Sequence, residues 1–140
     1  MNHCKGRILA IDAGTRRVGI AISDETRTIA AHSFLLTVED LTGSGIGLAE
    51  LLREYEVTLL VLGKPTLLSG IDGSQAMQVD NVREALVKRF GLPIVMWDER
   101  LTSKAATRAL IEGGVKRRKR RQLVDKIAAT LILQSYLDSL

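Results

Sequence analysis

Residues 7–24, RILAIDAGTRRVGIAISD, constrain the fold more than any other stretch of the chain. Ile8 to Asp12 read as an apolar strand ending in a carboxylate, Ala13-Gly14-Thr15 as a turn, and Val18 to Ser23 as a second strand, apolar but for Gly19 and Ser23. Apolar runs of this length, bounded by turn residues, belong inside a sheet rather than on its wet face. An acid at the end of a buried strand is costly unless a metal ion, a cation or backbone donors compensate it. Gly14 permits a tight reversal that brings bare backbone close to Asp12. Asp12 is therefore either a metal ligand at a strand mouth or an Asx-type turn residue.

The rest of the chain extends that pair into a sheet. Thr28–Leu36 reads as a third strand after a turn at Glu25-Thr26-Arg27, which makes an antiparallel meander. Residues 39–56 become helical from about Gly47, where Leu48, Leu51, Leu52 and Tyr55 recur at helical spacing. Val57–Gly63 is uninterrupted and lies between two helical stretches, so it reads as a central parallel strand covered on both faces. A loop with a candidate N-cap at Ser74 leads to an amphipathic helix over 75–90, stopped by Gly91. Pro93–Trp97 reads as a second parallel strand that delivers Asp98-Glu99-Arg100. A helix near 103–112, a basic loop and a last helix over about 122–138 complete the chain. The expected architecture is α/β: a five-stranded mixed sheet, three strands antiparallel and two parallel, with helices on its faces. At 140 residues, with no internal repeat and no linker, it reads as a single domain spanning 1–140.

Composition excludes several classes of function. A 46% hydrophobic, 26% charged chain is an ordinary globular one. No apolar run approaches the length needed to span a bilayer, and the N-terminal apolar run stops at Asp12, too soon for a secretory signal. Cys4 is the single cysteine, which rules out an intrachain disulfide and a cysteine-based zinc site. These features fit a cytoplasmic protein with no membrane association. His3 and His32 are isolated and read as incidental. The charge is unevenly spread. Six consecutive cations at 116–121, KRRKRR, turn a slightly acidic body into a chain of net charge +4. Like charges so close repel unless something neutralises them, so the segment reads as a phosphate-binding edge for nucleic acid.

In open α/β sheets, sites form at the carboxyl ends of the parallel strands, beside the topological switch. If the first strand lies beside the fourth, Asp12, Gly63-Lys64-Pro65 and Asp98-Glu99-Arg100 share one sheet edge, and Asp125 stands near the start of the final helix, whose positive end favours an anion. Three clustered carboxylates repel one another, a divalent ion removes that repulsion, and hard oxygen ligands select Mg²⁺ or Mn²⁺. Such a site suits phosphodiester cleavage, with Asp12 bridging the metals and Glu99 and Asp125 completing their shells. Strand alternation turns Asp98 to the face opposite Glu99. Arg100 and the basic segment would hold substrate phosphates.

In order, DAGTRRVGIAISD, VLGKPTLLSGIDGS, DERLTSKAA and VDKIAATLILQSYL resemble the blocks of the YqgF family. That family comprises the pre-16S ribosomal RNA nucleases, once called Holliday-junction-resolvase-like, with the ribonuclease H fold. The likeness covers nearly the whole chain; its first block by itself also resembles the phosphate loop of sugar kinases and actin-like ATPases. Carried over, the family's acidic positions fall on Asp12, Glu99 and Asp125, as catalytic residues and metal ligands. Thr15, Arg16, Lys64, Arg100 and Thr102, with Lys116, Arg117 and Arg118, are expected to contact substrate. The family's Gly-Leu-Pro is here Gly63-Lys64-Pro65, with a longer gap before Asp72-Gly73-Ser74, which bears on the strand-mouth geometry but not on the acids. The resemblance implies maturation of the 5′ end of precursor 16S rRNA, with ribosomal particles as partners and a monomer or homodimer as the working unit. The alternatives are a Holliday junction resolvase acting on branched DNA, which needs a dimer, and a non-catalytic rRNA-binding assembly factor, which would not need the three acids. An ATPase-like module would need a second domain that 140 residues cannot hold.

Overall fold

The computed structural model describes residues 6–13, 17–64, 73–98 and 117–140. Strands β1 (Arg7–Ala13), β2 (Arg17–Ser23) and β3 (Ala30–Thr37) precede helices α1 (Val38–Thr42) and α2 (Ile46–Glu54). Then follow β4 (Val57–Lys64), α3 (Gly73–Phe90), β5 (Ile94–Asp98) and α4 (Arg117–Asp138). The five strands form one sheet in the order β3-β2-β1-β4-β5. The β1–β2 and β2–β3 pairs are antiparallel, while β1–β4 and β4–β5 are parallel. This is the mixed sheet expected from the sequence, with β1 beside β4. Among the described residues, no helix is long and apolar enough to cross a membrane.

Period-two alternation divides the sheet's side chains between two cores. Leu9, Ile11, Val18, Ile20, Ile22, Leu60 and Leu62 pack with Leu41, Leu48, Val79, Val82 and Leu86 beneath α1, α2 and α3. On the other face, Ile8, Ala10, Ala21 and Val61 pack with Ala129, Ile132, Leu133 and Leu137 of α4. The first face carries long aliphatic side chains and the second carries short ones around β1 and β2. A helix laid over alanines can approach the sheet closely, so α4 is the nearer cover.

Polar fasteners fix the lower edge. The buried hydroxyl of Ser23 accepts the Ile8 N–H at 2.9 Å and donates to the Asp24 carbonyl at 3.0 Å, which latches β2 to β1. Gln134 of α4 accepts the Ala30 N–H and donates to the Thr28 carbonyl, both at 3.0 Å. Trp97 of β5 donates its indole N–H to Ser135 Oγ at 3.2 Å and meets the Tyr136 ring edge-on at 5.2 Å. These contacts tie α4 to both outer strands.

Three sequence expectations need correction. β3 starts at Ala30 rather than Thr28, because the Asp24 carboxylate takes the Thr28 and Ile29 N–H groups and folds both residues into the turn. The stretch before Gly47 holds a helix, α1, capped by Thr37 Oγ1 on the Asp40 N–H. Asp40 in turn accepts the Gly47 and Leu48 N–H groups at the head of α2, and Arg89 donates to the carbonyls of Gly43 and Ser44. The glycine-rich link is thus a capped corner between two helices. Finally, the last helix begins at Arg117, so residues 117–121 of the basic segment form its opening turns and not a loop. Arginine and lysine are good helix formers, and that propensity outweighs their mutual repulsion here. The helix expected near 103–112 lies outside the described residues.

The β2–β3 turn gives a direct test. The Thr26 hydroxyl and the Ile29 N–H, and less strongly the Thr28 N–H, stabilise the Asp24 carboxylate and lower its pKa from 3.8 to about 2, against an opposing effect of burial. Folding lowers this pKa, so the turn's stabilisation is complete above about 3.8 and is lost as the pH falls towards 2. NMR titration of Thr26→Ala should raise the Asp24 midpoint towards 3.8. An unchanged midpoint would remove Thr26 as the leading cause.

Candidate active site

Asp12 is the penultimate residue of β1, half-buried, on the strand that lies between an antiparallel and a parallel neighbour. Beyond β1 the chain turns towards β2, and beyond β4 it passes through α3 to β5 on the other side. The crevice between the carboxyl ends of β1 and β4 is therefore the topological switch point. Leu9, Ile11 and Ala13 face α1–α3, and Ile8 and Ala10 face α4, so Asp12 stands on the α4 face.

The register defines its surroundings. Asp12 pairs with Gly19 of β2, and Gly19 with Leu35 of β3. On the other side Ile11 pairs with Leu62, which brings Asp12 level with Gly63 at the next step, and Gly63 pairs with Trp97. The upper row of the α4 face thus reads Leu35, Gly19, Asp12, Gly63, Trp97. The row below reads Ser33, Ala21, Ala10, Val61, Val95. Glycines thus stand level with Asp12 on both adjacent strands.

The other expected site residues divide into three groups. Lys64 and Asp98 are cross-strand partners, and Asp98 shares the face of Ile94 and Met96. Both stand on the α1–α3 face, opposite Asp12, as alternation requires for Asp98; Lys64, expected as a substrate contact, is exposed there. Arg117, Arg118 and Asp125 belong to the backbone of α4, their side chains lying outside the described residues. Thr15, Arg16, Glu99, Arg100, Thr102 and Lys116 also lie outside them. Sequence reasoning put Gly63 on the same sheet edge as Asp12 on the condition that β1 lies beside β4, missed Trp97, and noted Gly19 only as a break in an apolar run.

α4 changes the electrostatic account of Asp125. The helix starts at Arg117, so Asp125 lies roughly 12 Å inside it at 1.5 Å per residue, too far to feel the terminal dipole. The positive end of the helix instead carries Arg117, Arg118 and Lys119, with no acid in the first turn. Repulsion among these cations and their unfavourable dipole position act together, and both are relieved by a bound anion. Among the described residues, no three His, Cys, Asp or Glu groups come close enough to hold a metal ion. Of the three acids read as ligands, Asp12 is the one whose side chain is described. Its carboxylate is a hard oxygen donor of the kind that suits Mg²⁺ or Mn²⁺.

Comparison with known proteins bears on both fold and family. The family model described as "RuvX: Holliday junction resolvase" matches residues 6–139. A protein of Geobacillus sp. (strain WCH70), named provisionally as a pre-16S rRNA nuclease, is 42% identical over 135 residues, covering 95% of this chain and 98% of its own. A Bacillus subtilis (strain 168) protein with the same provisional name is 39% identical over 136 residues, covering 96% and 99%. Among solved structures, T. thermophilus RuvC in complex with a Holliday junction substrate aligns over 96% of both chains with a TM-score of 0.62 and 14% identity. The Fowlpox virus resolvase, in complex with Holliday junction DNA, aligns over 95% and 97% with a TM-score of 0.55 and 17% identity. These structures establish the ribonuclease H-like fold of the resolvases for this chain.

The crowded positive end of α4 predicts an anion effect. At matched ionic strength, tripolyphosphate should raise the thermal midpoint above its value in chloride, and the triple variant Arg117→Ala/Arg118→Ala/Lys119→Ala should lose that gain. Equal midpoints in the two salts would mean that the cations are already neutralised within the protein.

Proposed function

Starting from the chain's membership of the RuvX/YqgF family, we propose that it is a metal-dependent nuclease that processes the 5′ end of precursor 16S rRNA. The observation that carries this reading is the placement of Asp12 at the switch point, on the face covered by α4. Carried one residue past β5, the alternation that turns Val95 and Trp97 towards α4 would turn Glu99 the same way. Asp125 precedes the buried Ala129 by four residues, and that helical spacing supports reading it on the stripe of α4 that faces the sheet. On this reading the three acids would share one side of the sheet and one edge.

Bound there, Mg²⁺ or Mn²⁺ supplies a metal-activated water and neutralises charge on the scissile phosphate. The chain's part is to hold the phosphodiester in line and to fix the carboxylates that would otherwise repel one another. Thr15, Arg16, Arg100, Thr102 and the cations Lys116, Arg117 and Arg118 would grip the neighbouring phosphates. Lys64, on the opposite face of the same edge, suits a flanking phosphate rather than the scissile one. In this reading one nuclease domain spans 1–140 and works in the cytoplasm on precursor ribosomal particles, as a monomer or homodimer. A second reading, resolution of branched DNA, draws on the fold shared with RuvC and on the family's description. It requires two copies of the site on one junction.

Purified protein with Mg²⁺ or Mn²⁺ should cut a precursor 16S fragment in preference to a four-way DNA junction. Asp12→Asn should slow the cut by more than about 100-fold, the upper end of what losing a ligand's supporting partner costs, with its circular dichroism spectrum unchanged. Preferential, two-fold symmetric cutting of the junction would favour the resolvase. Binding of the RNA by wild type and variant alike, with no cutting by either, would favour a non-catalytic assembly factor.

A further inference from the structure

β3 is an outer strand of the sheet, and among the described residues no strand pairs with its far side. An outer strand presents a row of backbone donors and acceptors that invites pairing, and proteins guard it with charges, prolines, bulges or a covering segment. Two guards stand at the start of β3. Its register with β2 shifts between Ile22 and Ser23, and the Gln134 carboxamide takes the Ala30 N–H and the Thr28 carbonyl as the peptide of a neighbouring strand would. Past that point the guards stop. Ser33-Phe34-Leu35-Leu36-Thr37 carries no charge and no proline, and its pairing with β2 is regular. Ser33 and Thr37 are exposed, and Thr37 keeps a hydroxyl proton to donate after accepting the Asp40 N–H. Leu35 is half-buried on the α4 face, and among the described residues the core beneath that helix does not include it.

We propose that this segment pairs with the same segment of a second copy of the chain, antiparallel and centred on Leu35. Its chemistry reads the same in both directions: a hydroxyl, three apolar side chains, a hydroxyl. A two-fold axis at Leu35 sets it against the partner's Leu35, Ser33 against the partner's Thr37, and Phe34 against the partner's Leu36. Hydroxyl meets hydroxyl and apolar meets apolar, which are favourable cross-strand pairs, and no like charges are opposed. Nucleic acid is a poor occupant, because the segment offers it no cation. The axis stands perpendicular to the joined sheet, so both copies keep α4 on the same side. Leu35, Gly19 and Asp12 lie in one row, so the two Asp12 residues would stand in that row on one face, with their strands pointing in opposite directions. Five strand spacings separate them, about 24 Å. Two sites related in this way are what the branched-DNA reading requires, but the interface stands whatever Asp12 does.

A ladder this short, with its flanks, makes a small interface, so the dimer should depend on concentration. Sedimentation equilibrium of the wild type should show monomer and dimer exchanging. Leu35→Lys and Leu35→Glu each oppose like charges at the axis, and each should sediment as a monomer with an unchanged circular dichroism spectrum. Mixed in equal amounts they should form a dimer again, because opposite charges then meet. In a Cys4→Ser background, Leu35→Cys should cross-link to its own copy under mild oxidation. Ser33→Cys should not, since its counterpart lies further along the strand, beyond disulfide reach. A wild type that stays monomeric up to its solubility limit overturns the proposal. So does a dimer that both charged variants retain, a mixture that stays monomeric, or cross-linking of Ser33→Cys as fast as Leu35→Cys. Should the charged variants fail to fold, the two cysteine variants decide by the same criterion.

Discussion

The alternation of β1 is the constraint on which the structure depends. Leu9, Ile11 and Ala13 must enter the core beneath α1–α3, and Ile8 and Ala10 must meet α4. Because a strand has a side-chain period of two, that assignment also fixes Asp12 on the α4 face. A slip of one residue would drive the carboxylate into a packed aliphatic core and place Ile11 in the crevice. Both outcomes are costly: one buries a charge without compensation, the other exposes a large apolar side chain. Paired on both sides, β1 has no free edge along which to slip. The register that stabilises the fold is therefore the register that aims the acid.

The two faces of the sheet serve different ends. Beneath α1, α2 and α3 the strands present isoleucines and leucines, and this face supplies most of the hydrophobic burial. Beneath α4 the same strands present Ala10 and Ala21, which contribute little area but permit close approach. Gln134, Ser135 and Tyr136 compensate by fastening α4 to β3 and β5 through hydrogen bonds and an aromatic contact. Such a division suits a catalytic protein. One face supplies most of the burial, and the other carries the Asp12 carboxylate.

Much of this is legible in the sequence because it is local. The runs Ile8–Asp12 and Val57–Gly63 announce buried strands, and the helical spacing of Leu48, Leu51 and Leu52 announces α2. The mixed sheet follows from the alternation of strand and helix after Glu39, while the meeting of β1 and β4 is a condition in the sequence that the structure meets. Other features depend on competition that a sequence does not weigh. The glycines at 43, 45 and 47 argue against a helix, yet α1 forms just before them with Thr37 capping its start, and Asp40 caps the head of α2. Residues 117–121 read as a loop by their repulsion and fold as helix by their propensity. The neighbours of Asp12 are non-local: Gly63 and Trp97 reach it only through register, which no spacing along the chain reveals.

The nuclease reading requires Asp12, Glu99 and Asp125 to share one ion on the α4 face. An anomalous difference map from crystals soaked in MnCl₂ decides whether they do. Manganese density is expected at the carboxyl end of β1, within bonding distance of the Asp12 carboxylate and in contact with Glu99 and Asp125. Manganese bound elsewhere, or a crystal structure that puts any of the three acids on the α1–α3 face, would contradict it.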